Sequence, residues 1–350
     1  MCAQGSKMVV LITGLCSAHC YYCPLSFEKG QKDIIYADEW KLNNENDTKK
    51  LIREAEYITA KGAGITGGDP LLVWERTQKY IILLKDTFGS DFHIHLYTSG
   101  LIHTNKISSL ISAGLDEIRF HPSPQYWNCM NTSPYAQVIR KSVDESIDVA
   151  IEIPVIPTME NEIIQMIQWA DTNQLQWVNL NELEFSERNV QALMSKGYEV
   201  KDELSAAVQN SQETALNVIS QIQQQKLEIG VHYCSVSFKD GIQLQNRIKR
   251  RAQKIAKEYE VITKDGTLLK GIIIPTNITL KELYRSIQQT YHISKKYIHM
   301  NTEKNRLEIG AWILEKIADN ITRQGHACYM IEEYPTADRL EVEKIPLPLD

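Results

Sequence analysis

The chain has 350 residues, a formal net charge of −6 and seven cysteines. A chain of this length can bury about three quarters of its unfolded surface, so it needs no disulfide staples. An odd cysteine count, with three packed into eight residues, argues against a secreted disulfide framework and for metal use in a reducing compartment. No run of about 18 apolar residues occurs, so no membrane span is expected. Residues 1–7 carry no long apolar core, so no signal peptide is expected and the cytoplasm is the expected location. The mild acidic charge singles out no class of partner.

In chain order, a strand is predicted over Met8 to Gly14, followed by a cysteine-bearing loop. Asp47 to Lys61 reads as a helix, with Leu51, Ile52, Ala55 and Ile58 roughly on one face. A short strand runs into the turn Gly67-Gly68-Asp69-Pro70, and Glu75 to Phe88 is helical in pattern. Phe92 to Gly100 alternates and is rich in strand formers. Asn105 to Ala113 is a helix stopped by Gly114, and Leu115 to Pro122 is a strand. Further strands are predicted at Asp148 to Ile156, Trp177 to Glu184 and Lys226 to Tyr233, with helical stretches at Tyr135 to Glu145, Glu160 to Thr172 and Val200 to Gln225. Seven strands alternating with helices predict an α/β fold, either an open doubly wound sheet or a full or partial barrel. In each case the strand C-terminal ends form the working face.

The first of those ends carries Cys16-Ser17-Ala18-His19-Cys20-Tyr21-Tyr22-Cys23, a C-x3-C-x2-C loop. Three thiolates on one tight loop can hold three irons of a [4Fe-4S] cluster, and with no fourth cysteine nearby one iron is left open. A tetrahedral zinc site usually takes four ligands in paired C-x2-C units, which this spacing does not supply. The second end carries Gly67-Gly68-Asp69-Pro70, where two glycines expose the backbone and proline fixes the exit.

These two motifs together resemble the radical S-adenosylmethionine (radical SAM) superfamily over roughly residues 8–240. In that family the open iron is chelated by the methionine moiety of SAM, and an aromatic residue such as Tyr22 precedes the last cysteine. The turn resembles the superfamily's G-G-E-P motif, which holds the methionine amino group, with Asp69 where Glu is commoner. Thr98-Ser99-Gly100 stands where relatives of the pyruvate formate-lyase activating enzyme carry a Thr-Asn-Gly-like turn. The resemblance implies a partial (β/α)6-type barrel that holds a [4Fe-4S] cluster at Cys16, Cys20 and Cys23, and SAM. It also implies reductive cleavage of SAM to a 5'-deoxyadenosyl radical that abstracts hydrogen from a substrate, and a flavodoxin- or ferredoxin-type reductant. Similar sequences are known among uncharacterised archaeal proteins.

Arg119, His121, Glu152, Asn181 and Glu182 are candidates for ribose, carboxylate or adenine contacts, or else solubilising residues at sheet edges. Cys234, just past the last strand, is a candidate substrate-facing thiol, hydrogen-atom donor or cluster ligand, or else a small buried residue. Cys2, Cys129, Cys234 and Cys328 are scattered, which argues against a second cluster.

Residues 245–257 form a basic helix with Arg247, Lys249, Arg250, Arg251, Lys254 and Lys257 in a chain that is acidic overall. It is either a solvated face or a contact for RNA or an acidic protein. The expected division is a barrel domain over 1–257 and a small α+β domain over 258–350, with a hairpin around Lys264-Asp265-Gly266, two helices and about four strands. Three functions fit: a radical SAM enzyme acting on a macromolecule (RNA or a protein side chain), one acting on a small metabolite, and a non-catalytic iron–sulfur redox protein. The intact Gly67 to Pro70 turn speaks against the last, since electron transfer does not require it.

Overall fold

Strands and helices alternate through the first two thirds of the structure, a computed structural model that describes residues 1–145 and 147–347. The strands are β1 (Lys7–Thr13), β2 (Tyr36–Ala37), β3 (Trp40–Lys41), β4 (Gly62–Gly67), β5 (His93–Thr98), β6 (Glu117–Phe120), β7 (Asp148–Val155), β8 (Trp177–Glu182), β9 (Val200–Asp202), β10 (Ser205–Val208) and β11 (Gly230–Cys234). The helices between them are α1 (Thr48–Tyr57), α2 (Trp74–Phe88), α3 (Ile107–Ser112), α4 (Ala136–Val143), α5 (Glu160–Thr172), α6 (Val190–Ser195) and α7 (Ser211–Gln225).

Seven strands lie parallel in the order β11-β8-β7-β6-β5-β4-β1, and β2 and β3 extend the β1 edge in antiparallel fashion. Among the described residues β1 and β11 do not pair, so the sheet is a partial barrel and not a closed one. Alternate side chains of a strand point to opposite faces. One set (Val10, Ile12, Ile94, Leu96, Ile118, Phe120, Ile151, Ile153, Val178, Leu180) is fully buried and forms the apolar layer under the helices. The other set is largely polar. It includes His93, His95 and Tyr97 on β5, Glu117 and Arg119 on β6, Glu152 on β7, Asn179 and Asn181 on β8, and His232 on β11, and the strand registers set these side by side on the inner face.

One expected helix is corrected. Val200 to Gln225 is not helical throughout: β9 and β10 make a hairpin first. The Asp202 carboxylate accepts from the Leu204 amide at 2.9 Å, which sets the turn. Asn210 then takes a left-handed conformation (φ 67°) that no helix continues through, so α7 starts only at Ser211.

The chain divides into two compact units, Met1–Glu56 with Ala60–Gln243, and Tyr57–Thr59 with Leu244–Asp350. A one-turn helix, α8 (Val236–Phe238), lies in the first. The basic helix, α9 (Gln245–Ile255), belongs to the second, so the division at 243/244 falls one helix before the expected boundary at 257/258. Unit two continues with β12 (Val261–Ile262), β13 (Leu268–Ile274), α10 (Leu280–Tyr291), β14 (Ile298–Asn301), β15 (Arg306–Ile309), α11 (Ala311–Arg323), β16 (Ala327–Glu333) and β17 (Glu341–Leu347). Its antiparallel sheet runs β14-β15-β13-β16-β17 with β12 on β13, which is six strands where about four were expected. Leu283, Ile287, Leu314 and Ile321 from α10 and α11 join Ile273, Leu307 and Ile309 of the sheet in one core. A Thr279–Glu282 capping box starts α10.

Candidate active site

The cysteine loop leaves β1 and returns to its own neck. The Gly14 amide donates to Lys32 O and the Gln31 amide to Gly14 O, each at 2.8 Å. A Cβ on Gly14 would collide with Lys29 O, so only glycine lets the two arms come this close. Arg76 clamps the neck by a bidentate pair with Asp33 at 2.6 and 2.9 Å and a third bond to Ile12 O at 3.0 Å. Inside the loop the Cys23 amide donates to Cys20 O at 3.1 Å, and Gln31 Nε2 donates to Cys16 O at 3.0 Å.

Cys16, Cys20 and Cys23 are partly exposed and none is in a disulfide. Burial pushes the Cys16 thiol up to about 11 and raises that of Cys20. One tetrahedral zinc holds its sulfurs about 3.8 Å apart at bonds of about 2.3 Å, whereas a cluster spreads its ligands over several irons. Three thiolates on one loop, with no fourth cysteine beside them in the sequence, are the donor set that a [4Fe-4S] cluster with one iron open would take.

Tyr22 turns inward and is buried. Its hydroxyl lies 3.0 Å from His121 Nε2, and His121 Nδ1 lies 2.7 Å from the Glu152 carbonyl. A carbonyl only accepts, so Nδ1 carries the proton and Nε2 accepts from Tyr22. Burial keeps His121 below its ordinary pKa, which favours that neutral form. Asn189 Nδ2 binds the Tyr22 carbonyl at 3.0 Å and the Glu184 carbonyl at 2.9 Å, fastening the loop to the segment after β8.

The Gly67-Gly68 turn is stitched to the start of the same loop. The Gly68 amide donates to Thr13 O and the Asp69 amide to Leu15 O, each at 2.8 Å. Gly67 has φ 136°, and a Cβ on either glycine would run into those carbonyls. Asp69 is fully buried and faces the next strand end, not outward. It accepts from Thr98 Oγ1 at 2.8 Å, from the Ser99 amide at 3.1 Å, from the Ser99 hydroxyl and from the Leu71 amide at 3.1 Å. Its carboxylate is thus used in joining Gly67 to Pro70 with Thr98-Ser99-Gly100.

Arg119, Glu152 and Asn181 meet on the inner face. Arg119 donates to Glu152 at 2.7 Å and to Glu117, and Tyr97 OH stands 3.2 Å from it. Asn181 Nδ2 donates to the other Glu152 oxygen at 2.8 Å, Asn179 Nδ2 to Asn181 Oδ1 at 3.2 Å, and His232 Nδ1 to Asn179 Oδ1 at 2.7 Å. Every member is satisfied by a neighbour of opposite polarity, which is what makes a buried polar network stable. Glu182 stands apart. It sits on the opposite side of β8 and accepts from the Val236 amide at 2.8 Å and from Lys201 at 3.4 Å. Cys234 is buried in register with Asn181, its thiol raised by burial and 3.7 Å from Gln243 Nε2. Tyr97, Glu117, Asn179 and His232 were missed in the sequence. The signal was there as polar residues at every second position of otherwise apolar strands.

A family profile described as the radical SAM superfamily matches residues 10–170, and one for a domain of unknown function, DUF8061, matches residues 266–347. A curated relative from Methanocaldococcus jannaschii, named "Putative glycyl-radical enzyme activating enzyme MJ0021", is 40% identical over 99% of this chain and 91% of its own. The chain belongs to the radical SAM superfamily. Within it the chain is related to archaeal activating enzymes, and as a radical SAM enzyme it uses a [4Fe-4S] cluster and SAM, which removes the non-catalytic redox reading. Streptococcus suis SuiB bound to precursor peptide SuiA shares the fold, with a TM-score of 0.50 at 12% identity, over 67% of this chain and 49% of that one. The chain thus spans about half the length of that solved relative. SuiB bound to S-adenosylmethionine matches at a TM-score of 0.46, with 10% identity, over 66% of this chain and 50% of that one. Among the described residues no helix is long and apolar enough to cross a membrane.

Proposed function

We propose that this radical SAM enzyme acts on a polypeptide, as an activating enzyme that generates a radical on a partner protein. The observation that carries this reading is the 40% identity, across nearly the whole chain, to a relative named as a glycyl-radical enzyme activating enzyme. The cluster and SAM together supply a 5'-deoxyadenosyl radical when bound. Cys16, Cys20 and Cys23 hold the cluster. The backbone of Gly67 and Gly68 takes the methionine amino group, with Pro70 fixing the exit and Asp69 tying that turn to Thr98 and Ser99. Tyr22 and His121 brace the loop from below. Arg119, Glu152 and Asn181 line the inner face and orient the cofactor's sugar or the incoming substrate. Cys234, kept as a thiol by burial, stands at the same working end as a candidate hydrogen-atom donor. Among the described residues β1 and β11 do not pair with each other, which leaves the barrel open and suits entry of an extended segment. A flavodoxin- or ferredoxin-type protein is the proposed electron donor, reaching the cluster where the cysteines remain partly exposed.

RNA fits less well. Arg250 spends its guanidinium on Ile58 O at 2.6 Å, on Thr59 O at 2.9 Å and on the Thr59 hydroxyl. Arg251 is buried over the Tyr57 ring and donates to Pro335 O. Two of the five cations of α9 thus serve the fold of their own unit.

The test is anaerobic reconstitution with iron and sulfide, reduction by dithionite and identification of the nucleoside released from SAM. Release of 5'-deoxyadenosine that rises on adding a protein partner, with an organic radical signal on that partner, supports the reading. S-adenosylhomocysteine as the main product, or stimulation by RNA alone, overturns it.

A further inference from the structure

The N-terminal end of the inner face gathers three residues, of which only Glu117 enters the network above, through Arg119. His93 and His95 alternate on β5, and Glu117 opens β6 opposite His95. One ring nitrogen of each imidazole and one Glu117 oxygen all lie within 4.8 Å of one another. His93 Nε2 and Glu117 Oε2 are 3.6 Å apart. Two ligands of a tetrahedral ion with bonds of about 2.1 Å stand about 3.4 Å apart, so this pair needs almost no adjustment.

His95 supplies an independent observation. It is 3% exposed, and among the described residues no hydrogen-bond partner reaches its Nδ1. A buried polar atom is normally paired, and one that is not marks a missing partner. A polar cluster that only filled the barrel would be expected to satisfy it, as the Arg119–Glu152–Asn181 network satisfies its own members.

The surroundings keep the site open and its ligands aimed. Gly62 pairs with His93 and Gly64 with His95 across the β4–β5 register. A Cβ on Gly64 would stand 2.6 Å from His95 Nε2, so the imidazole occupies space that only glycine leaves. Lys7 Nζ holds His93 Nδ1 at 2.7 Å, and Arg119 Nε holds the other oxygen of Glu117. The Arg119 contact is of the kind that fixes the orientation of a ligating carboxylate.

We propose that His93, His95 and Glu117 form a binding site for a divalent transition metal of the zinc, iron or cobalt class, with a fourth position open to water. Two imidazoles and one carboxylate form a donor set typical of these ions. The site is separate from the cysteine loop. It lies at the start of β5, whereas Thr98 lies five residues on, about 16 Å along the strand.

The experiment titrates Co²⁺ and Zn²⁺ into the full chain with its iron–sulfur cluster already rebuilt, following cobalt d–d absorption and metal content after gel filtration. The expected result is about one equivalent of metal beyond the cluster iron, bound without sulfur-to-cobalt charge transfer. A variant with all three loop cysteines changed to serine keeps this equivalent. His95→Ala, His93→Gln and Glu117→Gln each weaken it by about tenfold or more, the scale on which lost metal contacts are felt. Circular dichroism identifies any variant that fails to fold, and the remaining ones decide. No metal beyond the cluster in the parent chain, or equal binding in folded His95→Ala and Glu117→Gln, overturns the proposal.

Discussion

The Asp69 carboxylate holds both the amide and the hydroxyl of Ser99, across 30 residues and from the end of one parallel strand to the next. With Thr98 also bound to Asp69, one buried acid couples the glycine turn to the third strand end. Asp69→Ala leaves four donors without an acceptor. Each orphaned buried donor costs about 1–3 kcal/mol, so a clear fall in the melting temperature is expected. The weakening of SAM binding should exceed that caused by Ser99→Ala, which removes one donor only. Calorimetric titration with SAM and a thermal melt check this.

Tyr22→Phe removes the hydroxyl that is bonded to His121 Nε2 and also faces the Cys20 thiol. The expected loss of stability is about 0.5–1.5 kcal/mol. The cysteines are untouched, so iron and sulfide content after reconstitution should match the parent. A variant that assembles no cluster would show that Tyr22 does more than brace the loop.

Cys16→Ala, Cys20→Ala and Cys23→Ala should each abolish both the cluster and SAM cleavage, because in the proposed site these three thiolates are the whole protein share of the ligand set. Visible absorption of the reconstituted protein and assay of 5'-deoxyadenosine provide the readouts. Persistent cleavage in a triple variant would refute the assignment.

Arg250→Glu with Arg251→Glu should unfold the second unit before it informs on any partner, since both guanidiniums are bound to carbonyls within that unit. Lys254→Glu, at an exposed position of α9, should leave the melt unchanged. An RNA or acidic-protein contact along this helix would then appear as a salt-dependent loss of binding in Lys254→Glu alone.

The second unit buries Lys270 against Glu260, Glu308 and Glu333 at 3.1, 3.0 and 2.7 Å. Burial by itself would raise the Glu308 pKa, but Lys270, Asn301 and Arg306 outweigh it and bring the acid down to about 2. A carboxyl depressed in the folded state stabilises the fold above its ordinary value of 4.5 and loses that contribution as pH falls toward about 2. Acid unfolding should therefore steepen in that window, and Glu308→Gln should flatten it. An unchanged acid slope in Glu308→Gln would rule out the assignment.

The α/β alternation, the cysteine loop and the glycine turn were legible from the sequence because each is local. Strand period, thiol spacing and turn glycines all act within a few residues. Length and composition likewise determined that no disulfide framework was needed. The sequence left open what depends on residues far apart. Asp69 reads as a ligand residue in a line of letters, and only the packing of β4 beside β5 turns its carboxylate onto Ser99. Arg250 and Arg251 read as part of a solvated face or of a contact for RNA or an acidic protein until Tyr57 to Thr59 and Pro335 come beneath them. The inner-face residues His95, Glu117, Asn179 and His232 are separated by loops and helices, and strand register alone brings them into one polar row. Local propensity selects the elements, but side-chain partners are set by long-range burial, because a polar group withdrawn from water must find whatever complement the tertiary fold supplies.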